Sequence, residues 1–155
     1  MNIVKANLSH KKEVLRLLDE FRTTVNKIMD PESSSESRSA RDNGEGLYEK
    51  LIPTDDIAVF LAQEKDNYVG IITINKIPQL RKGYYIAEVE EMYVNNNYQG
   101  KEVAKKLMLA GIEWAKSNNL AYIRLESAME LPRAHAFYSK LNFREYGKAF
   151  ILKLD

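Results

Sequence analysis

The chain has 155 residues, 45% of them hydrophobic, with a formal net charge of +1 and no cysteine. A chain of this length can remove about two thirds of its unfolded surface from water, so we expect one domain over residues 1–155. The near-neutral charge gives no general attraction to nucleic acid, and the lack of cysteine excludes disulfides, thiolate zinc sites and a cysteine nucleophile.

The N-terminus and the hydropathy pattern predict a protein that stays in the cytoplasm. Residues 1–5 lead into a charged helix rather than into the apolar segment of a signal peptide. No run of residues approaches the roughly 20 apolar positions that a membrane-spanning helix needs. We therefore expect a cytoplasmic protein with neither a membrane nor a nucleic-acid partner.

The first third of the chain predicts a strand, a helix and a polar segment. Residues 2–6 predict a short strand, and Ser9 stands where a helix N-cap belongs. Apolar residues then recur at helical spacing, at Val14, Leu18, Phe21 and Val25. Residues 30–46 contain proline, serines and charges, which predict a loop or a weak helix. A segment of this kind is either a mobile excursion or a lid over a site.

The middle of the chain predicts a small antiparallel sheet. Residues 57–62, 68–74 and 84–94 are rich in β-forming residues, and the first two runs are separated by a hairpin turn at residues 64–67. Three consecutive antiparallel strands are the simplest interpretation of this pattern.

The last third alternates between helical and extended patterns. Helical periodicity follows Gln99, and residues 120–125 then predict a strand that a right-handed crossover places parallel to a neighbour. Pro132 opens a last helix, and residues 143–154 predict a terminal strand. The predicted order is β-α-loop-βββ-α-β-α-β, an α/β fold with a central mixed sheet flanked by helices.

The most informative segment joins a strand end to a helix start, over residues 92–107. The strand ends at Val94, asparagines form a polar turn, and a loop containing Gly100 leads into a long helix. Free N–H groups converge at a helix start, and the positive end of the helix dipole favours an anion there. The residues alone therefore indicate an anion site that suits a pyrophosphate.

This loop resembles the acetyl-CoA signature of the GCN5-related N-acetyltransferase (GNAT) superfamily. In that signature Gln or Arg, two residues, Gly, one residue, and Gly or Ala wrap the pyrophosphate. Gln99 and Ala104 match the first and last positions, while Glu102 occupies the central Gly position. The resemblance implies that acetyl-CoA is the cofactor and that the loop binds it through Gln99, Gly100, Lys101, Glu102, Val103, Ala104 and Lys105. We expect Glu102 to alter the phosphate contacts and to pair with Lys106, one turn along the helix.

Two further segments carry the same resemblance. Met92, Tyr93 and Val94 resemble the family's strand end, whose backbone groups pair with the pantetheine arm. The segment from Leu131 to Phe143 resembles its final motif, and matching residues are Ala134, Phe137, Tyr138, Leu141 and Phe143. Leu131 stands where the family often has Asn. Cofactor contacts at Leu131 and Tyr138 are implied by this match.

The resemblance also implies catalytic residues. An ammonium must lose a proton before it attacks a thioester, and an acidic residue on the adjoining strand suits that task. Glu88 aligns with the general base of the histone-acetylating branch, and strict alternation places Glu90 on the same face as the second candidate. Tyr138 matches the acid that protonates the leaving thiolate, and the backbone N–H near Met92 matches the donor to the thioester carbonyl.

The sequence leaves the acceptor and the class of function open. The resemblance implies transfer to a primary amine, with a small amine favoured over a protein or peptide amine, and dimers are common in the family. The alternative is a non-catalytic acyl-CoA sensor or interaction module, in which Glu102 and Leu131 mark an eroded site. Three strand carboxylates, Glu88, Glu90 and Glu91, are each explained more simply as exposed strand residues, and a tyrosine such as Tyr138 is more often a core residue. Neither histidine has a partner at metal-ligand spacing, so no metal is expected.

Overall fold

The computed structural model describes residues 1–29, 40–152 and 154, and it separates into two compact units, Met1–Leu125 and Glu126–Asp155. The first unit contains a five-stranded sheet in the order β1-β2-β3-β4-β5. Its strands are β1 (Asn2–Lys5), β2 (Ile57–Glu64), β3 (Asn67–Gln79), β4 (Tyr84–Val94) and β5 (Ile123–Leu125). The pairs β1–β2, β2–β3 and β3–β4 are antiparallel and the pair β4–β5 is parallel, so the predicted mixed sheet is confirmed.

Among the described residues, three α-helices accompany this sheet and a fourth lies in the second unit. They are α1 (Lys11–Met29), α2 (Ala40–Leu51), α3 (Val103–Ser117) and, in the second unit, α4 (Pro132–Lys140). The segment predicted as a loop or weak helix at 30–46 overlaps the start of α2, and residues 30–39 lie outside the described part of the chain.

The predicted N-cap at Ser9 is wrong, because Asn7 fills that role two residues earlier. The Asn7 side chain accepts hydrogen bonds from the Ser9 backbone N–H at 2.9 Å and from the Ser9 hydroxyl at 2.7 Å. A short 3-10 turn, Leu8–His10, then leads into α1. Asn and Ser are both good cap residues, and sequence alone did not distinguish the extra turn.

The predicted terminal strand at 143–154 is also wrong for the residues that are described there. Residues 143–152 and 154 carry neither helix nor strand. The side chains of Phe150, Ile151 and Leu152 are almost fully exposed. β-propensity reflects packing and pairing on a sheet, and these residues have neither despite their composition.

Helices cover both faces of the sheet. On one face Val14 and Leu17 of α1 pack against Val59 and Ile71 of β2 and β3. On the other face α3 lies so close that a side chain at Gly111 would overlap the Ile74 side chain. The face covered by α3 carries the start of that helix, which follows the end of β4. The opposite face, beneath α1 and α2, contains a cavity.

Candidate active site

The turn between β4 and α3 is held together by its own polar side chains. Asn95 accepts a hydrogen bond from the Asn97 backbone N–H at 3.1 Å, which stabilises a 3-10 turn, Asn96–Tyr98. The Gln99 side-chain amide donates to the Val94 carbonyl at 3.2 Å and to the Asn96 side chain at 2.9 Å. Gln99 thus ties the turn to the last residue of β4 and fixes the direction in which the chain enters α3.

Two residues with positive φ redirect the backbone into α3. Gly100 has φ of +77° and Glu102 has φ of +63°, and no atom lies within 4 Å of where a Gly100 side chain would begin. Glu102 is the N-cap residue of α3 and makes no side-chain capping bond. The first bond of the helix runs from the Lys106 N–H to the Glu102 carbonyl at 3.0 Å. The backbone N–H groups before Lys106 have no acceptor within the helix, and an anion site at a helix start uses such donors.

The Glu102 side chain makes no hydrogen bond to those backbone donors. Its carboxylate forms an ion pair with Lys105 at 3.2 Å and is 69% exposed. The expected pairing with Lys106 is therefore replaced by pairing with Lys105, three residues along rather than four. Lys101 lies with its ammonium 5.0 Å from the centre of the Tyr98 ring. The turn thus combines free N–H groups with two lysines, and these residues suit a pyrophosphate.

The end of β4 has an edge that β5 does not cover. β5 ends at Leu125, opposite Val89, whereas β4 continues to Val94. Among the described residues, the last part of β4 is paired with β3 on one side only. Tyr93 and Val94 bury their side chains, and Met92 is half buried. The backbone of these residues is consequently placed at an open strand edge, which suits pairing with an extended ligand arm.

A β-bulge separates the acidic residues of β4. Thr73 lies opposite Glu91, but the next residue of β3, Ile74, lies opposite Val89, so Glu90 is an extra residue in β4. The strict alternation from which Glu90 was predicted to share a face with Glu88 therefore does not hold. The Glu90 side chain is exposed.

Glu88 and Glu91 lie on the same face of the sheet because the bulge adds a residue between them. Glu88 is opposite Asn75, and Glu91 is opposite Thr73, two residues away on β3. Glu88 forms an ion pair with Arg124 of β5. One oxygen of its carboxylate is thereby occupied by a guanidinium.

Glu91 is the carboxylate with the most unusual surroundings. Burial, and secondarily the neighbouring charge of Glu90, raises the pKa of Glu91 to about 7. The Thr73 hydroxyl donates to Glu91 Oε2 and accepts from the Glu91 backbone N–H at 3.0 Å. Sequence reasoning named this residue only as one of three strand carboxylates. The signal that would have singled it out is the bulge, which the sequence pattern does not display.

Glu91 and Thr73 line a cavity of about 460 Å³ beneath α1 and α2. Most of the other lining residues are aliphatic or aromatic, among them Leu18, Phe21, Leu47, Ile52 and Ile57. Arg22 and Asn26 of α1 complete its polar part. Arg22 pairs with Asp19 at 3.0 Å, and its Nε is buried without an acceptor among the described residues.

The second unit contains the two remaining candidates, Leu131 and Tyr138. Leu131 is the N-cap of α4 and makes no side-chain capping bond, while Pro132 follows in the first turn. Burial raises the pKa of the Tyr138 hydroxyl. Its ring makes edge contacts with Phe137 and Phe143 at centroid distances of 5.4 and 6.0 Å. The phenol is consequently well ordered and protonated at neutral pH.

The sequence matches one family model over most of its length. The model of the Acetyltransferase (GNAT) family matches residues 18–143, more than half of the chain. The chain belongs to the GNAT acetyltransferase family. The family that the sequence was seen to resemble is thereby confirmed. No curated protein matches the sequence significantly.

Solved structures of GNAT proteins share the fold of this chain at low sequence identity. A probable acetyltransferase has a TM-score of 0.82 at 18% identity, covering 100% of this chain and 99% of its own. An aminoglycoside acetyltransferase from an uncultured soil metagenomic sample has a TM-score of 0.79 at 18% identity, with coverages of 99% and 96%. The ribosomal-protein-alanine N-acetyltransferase of Brucella melitensis has a TM-score of 0.75 at 17% identity, with coverages of 99% and 100%.

These likenesses establish the fold of this GNAT chain. The helix start, the open edge of β4 and the carboxylates of β4 all belong to the first unit. No helix of the described residues is long and apolar enough to cross a membrane.

Proposed function

We propose that this GNAT protein transfers an acetyl group from acetyl-CoA to a primary amine in a ternary complex. The observation that supports this proposal most directly is the start of α3, where no side chain caps the helix, space is open at Gly100, and Lys101 and Lys105 lie close in sequence. The backbone donors of such a helix start favour a diphosphate. Membership of an acetyltransferase family supplies the reaction class.

The residues of the first unit hold the reactants in this proposal. The backbone donors around Gly100 to Lys105 bind the pyrophosphate, and the open edge of Met92, Tyr93 and Val94 binds the pantetheine arm. When bound, acetyl-CoA supplies a thioester whose carbonyl carbon forms a bond to the amine nitrogen while its bond to sulfur breaks. The Met92 backbone N–H donates a hydrogen bond to the carbonyl oxygen, where negative charge develops.

Two protons move during this transfer. The amine gives up a proton to a carboxylate of β4 or to water, and the predicted candidates for the base are Glu88 and Glu90. Tyr138 donates its hydroxyl proton to the leaving sulfur, and Leu131 lies at the start of the same helix. The Tyr138 phenol recovers a proton from solvent after release of the free thiol.

Thiol release from acetyl-CoA, followed with a colorimetric reagent across a panel of amines, tests the proposal. We expect acetyl-CoA to raise the melting temperature of the protein and at least one amine to release thiol above the rate of hydrolysis. Stabilisation by acetyl-CoA without turnover on any amine would instead support the sensor, for which the carboxylate of Glu102 at the family's Gly position is the favouring observation. Absence of stabilisation would exclude both functions.

A further inference from the structure

We infer that the cavity beneath α1 and α2 selects the acceptor, which is a small primary monoamine with an apolar body whose ammonium pairs with Glu91. The ligand is an acceptor substrate only if the proposed acetyl transfer is correct, so this part of the inference rests on the proposed function. Binding of the ligand depends only on the cavity.

The size of the cavity limits the ligand to a small molecule. Its volume of about 460 Å³ lies within the roughly 300–1,000 Å³ typical of small-molecule sites. It is formed within the first unit, between α1, α2 and one face of the sheet. A folded protein surface does not fit such a space, so a compact amine is the better match.

The walls of the cavity favour an apolar body. Leu18, Phe21, Ile52 and Ile57 contribute apolar side chains, and Leu47 lines the cavity while remaining 58% exposed. Away from Asn26 and the Arg22 Nε, burying a hydroxyl or a second ammonium against such walls costs free energy, because the group loses water without gaining a partner. Aminoglycosides and polyamines carry several such groups. An amine with one polar end and an aliphatic or aromatic remainder avoids this cost.

One carboxylate lines this cavity within the described part of the chain, and it belongs to Glu91. Thr73 donates to its Oε2, and no ion pair of Glu91 with a cationic side chain is found among the described residues. Arg22, the cation that also lines the cavity, has its charge paired with Asp19 at 3.0 Å. Glu91 therefore offers a half-buried carboxyl group without a protein counter-ion, and a ligand ammonium supplies one and favours the ionised form of the carboxyl.

The position of Glu91 on β4 places this charge on the strand that also carries the proposed acetyl-binding edge. Glu91 immediately precedes Met92, whose backbone N–H is the proposed donor to the thioester carbonyl. An ammonium bound at Glu91 is thus held next to the residues that the acetyl group is proposed to contact. The bulge at Glu90 is what brings the Glu91 side chain to this face.

Binding of 2-phenylethylamine by isothermal titration calorimetry, without acetyl-CoA, tests the inference. The matched ligands are 2-phenylethanol, which lacks the charge, and spermidine, which lacks the apolar body. We expect 2-phenylethylamine to bind at least about tenfold more tightly than either, since a charge-assisted hydrogen bond contributes roughly 1.5–3 kcal/mol. Equal or tighter binding of spermidine would overturn the inference.

Three variants assign the binding to this cavity. Glu91→Gln keeps the shape of the side chain and is expected to weaken 2-phenylethylamine about tenfold while leaving 2-phenylethanol unchanged. Leu47→Ser, at a half-exposed wall position where folding is little affected, is expected to weaken both aromatic ligands. Glu113→Gln alters an exposed carboxylate of α3 and serves as the control. Unchanged affinity in Glu91→Gln, with an unchanged circular dichroism spectrum, would refute the assignment.

Turnover with acetyl-CoA separates this inference from the proposed function. Thiol release with 2-phenylethylamine but not with spermidine or an aminoglycoside supports both. Thiol release with spermidine or an aminoglycoside alone leaves the acetyltransferase in place and overturns the inference. Glu91-dependent binding of 2-phenylethylamine without thiol release from any amine supports the cavity site and removes the proposed function.

Discussion

Glu88 of β4 and Arg124 of β5 lie directly opposite each other in the parallel strand pair, and their side chains form an ion pair. The pair joins the short edge strand to the rest of the sheet at the middle of its three paired positions. Glu88 is 20% exposed and Arg124 is 32% exposed, so the contact is shielded more than a surface pair. The same residue that resembles a catalytic base therefore has a structural partner.

The ion pair predicts coupled losses of stability when either partner is changed. Glu88→Gln and Arg124→Gln should each lower the free energy of unfolding, and the double variant should lose less than the sum by about 1 kcal/mol. Urea denaturation of the three variants measures this coupling. Additive losses would show that the two side chains do not stabilise each other.

The turn before α3 predicts that two substitutions at one position have the same effect on cofactor binding and different effects on stability. Glu102→Gly should raise the free energy of unfolding by about 0.5–1 kcal/mol, because a residue with a side chain at φ of +63° is strained and glycine is not. Glu102→Ala keeps the strain and removes the charge. Both should tighten acetyl-CoA several-fold, since a carboxylate near the phosphates is lost, while the glycine variant alone gains stability. Thermal melts and calorimetric titration with acetyl-CoA provide the two measurements.

The acid role of Tyr138 predicts a loss of turnover without a loss of cofactor binding. Tyr138→Phe retains the edge contacts with Phe137 and Phe143 and removes the hydroxyl proton. We expect kcat to fall by about a hundredfold, the lower end of the range for general acid catalysis, with a much smaller change in the Kd of acetyl-CoA. Tyr146→Phe, at an exposed tyrosine of the same unit, is the matched control. Equal kcat values for the two variants would remove Tyr138 from the mechanism.

Periodicity and turn chemistry were enough to predict the mixed sheet and the helix that follows Gln99. The run at 143–154 shows the limit of that approach, because a β-forming composition does not reveal whether a strand finds a partner. The start of α1 shows another, since Asn7 and Ser9 are both plausible caps until the extra turn between them is seen.

Part of the candidate site was predictable from local sequence, and part of it depends on contacts between distant segments. Gln99 and Gly100 were predicted from a local motif, and local hydrogen bonds determine their geometry. Glu91 was not singled out, because its burial depends on a bulge in β4 and on packing of α1 and α2 over distant strands. Alternation along one strand carries no information about an inserted residue in its pairing.

The buried carboxyl of Glu91 predicts a pH-dependent stability that one substitution removes. Its pKa is raised from 4.5 to about 7 by burial and by Glu90. Below pH 4.5 the group is protonated in both the folded and the unfolded protein. As the pH rises towards and through 7, the unfolded chain loses its proton first, so the folded state loses stability relative to it.

Glu91→Gln should therefore match the wild type near pH 4 and exceed it at pH 8 by on the order of 3 kcal/mol, the energy that corresponds to this pKa difference. Among the described residues that line the cavity, burial raises the pKa of Tyr48 to about 12, so its phenol stays neutral across this range, and Arg22 is present in both proteins. Glu90 remains in both proteins. Urea denaturation of both proteins from pH 4 to pH 8 measures the difference, and Glu113→Gln controls for loss of an exposed carboxylate. A difference between Glu91→Gln and wild type that stays constant with pH would mean that the pKa of Glu91 is the same in the folded and unfolded protein, and that burial does not raise it.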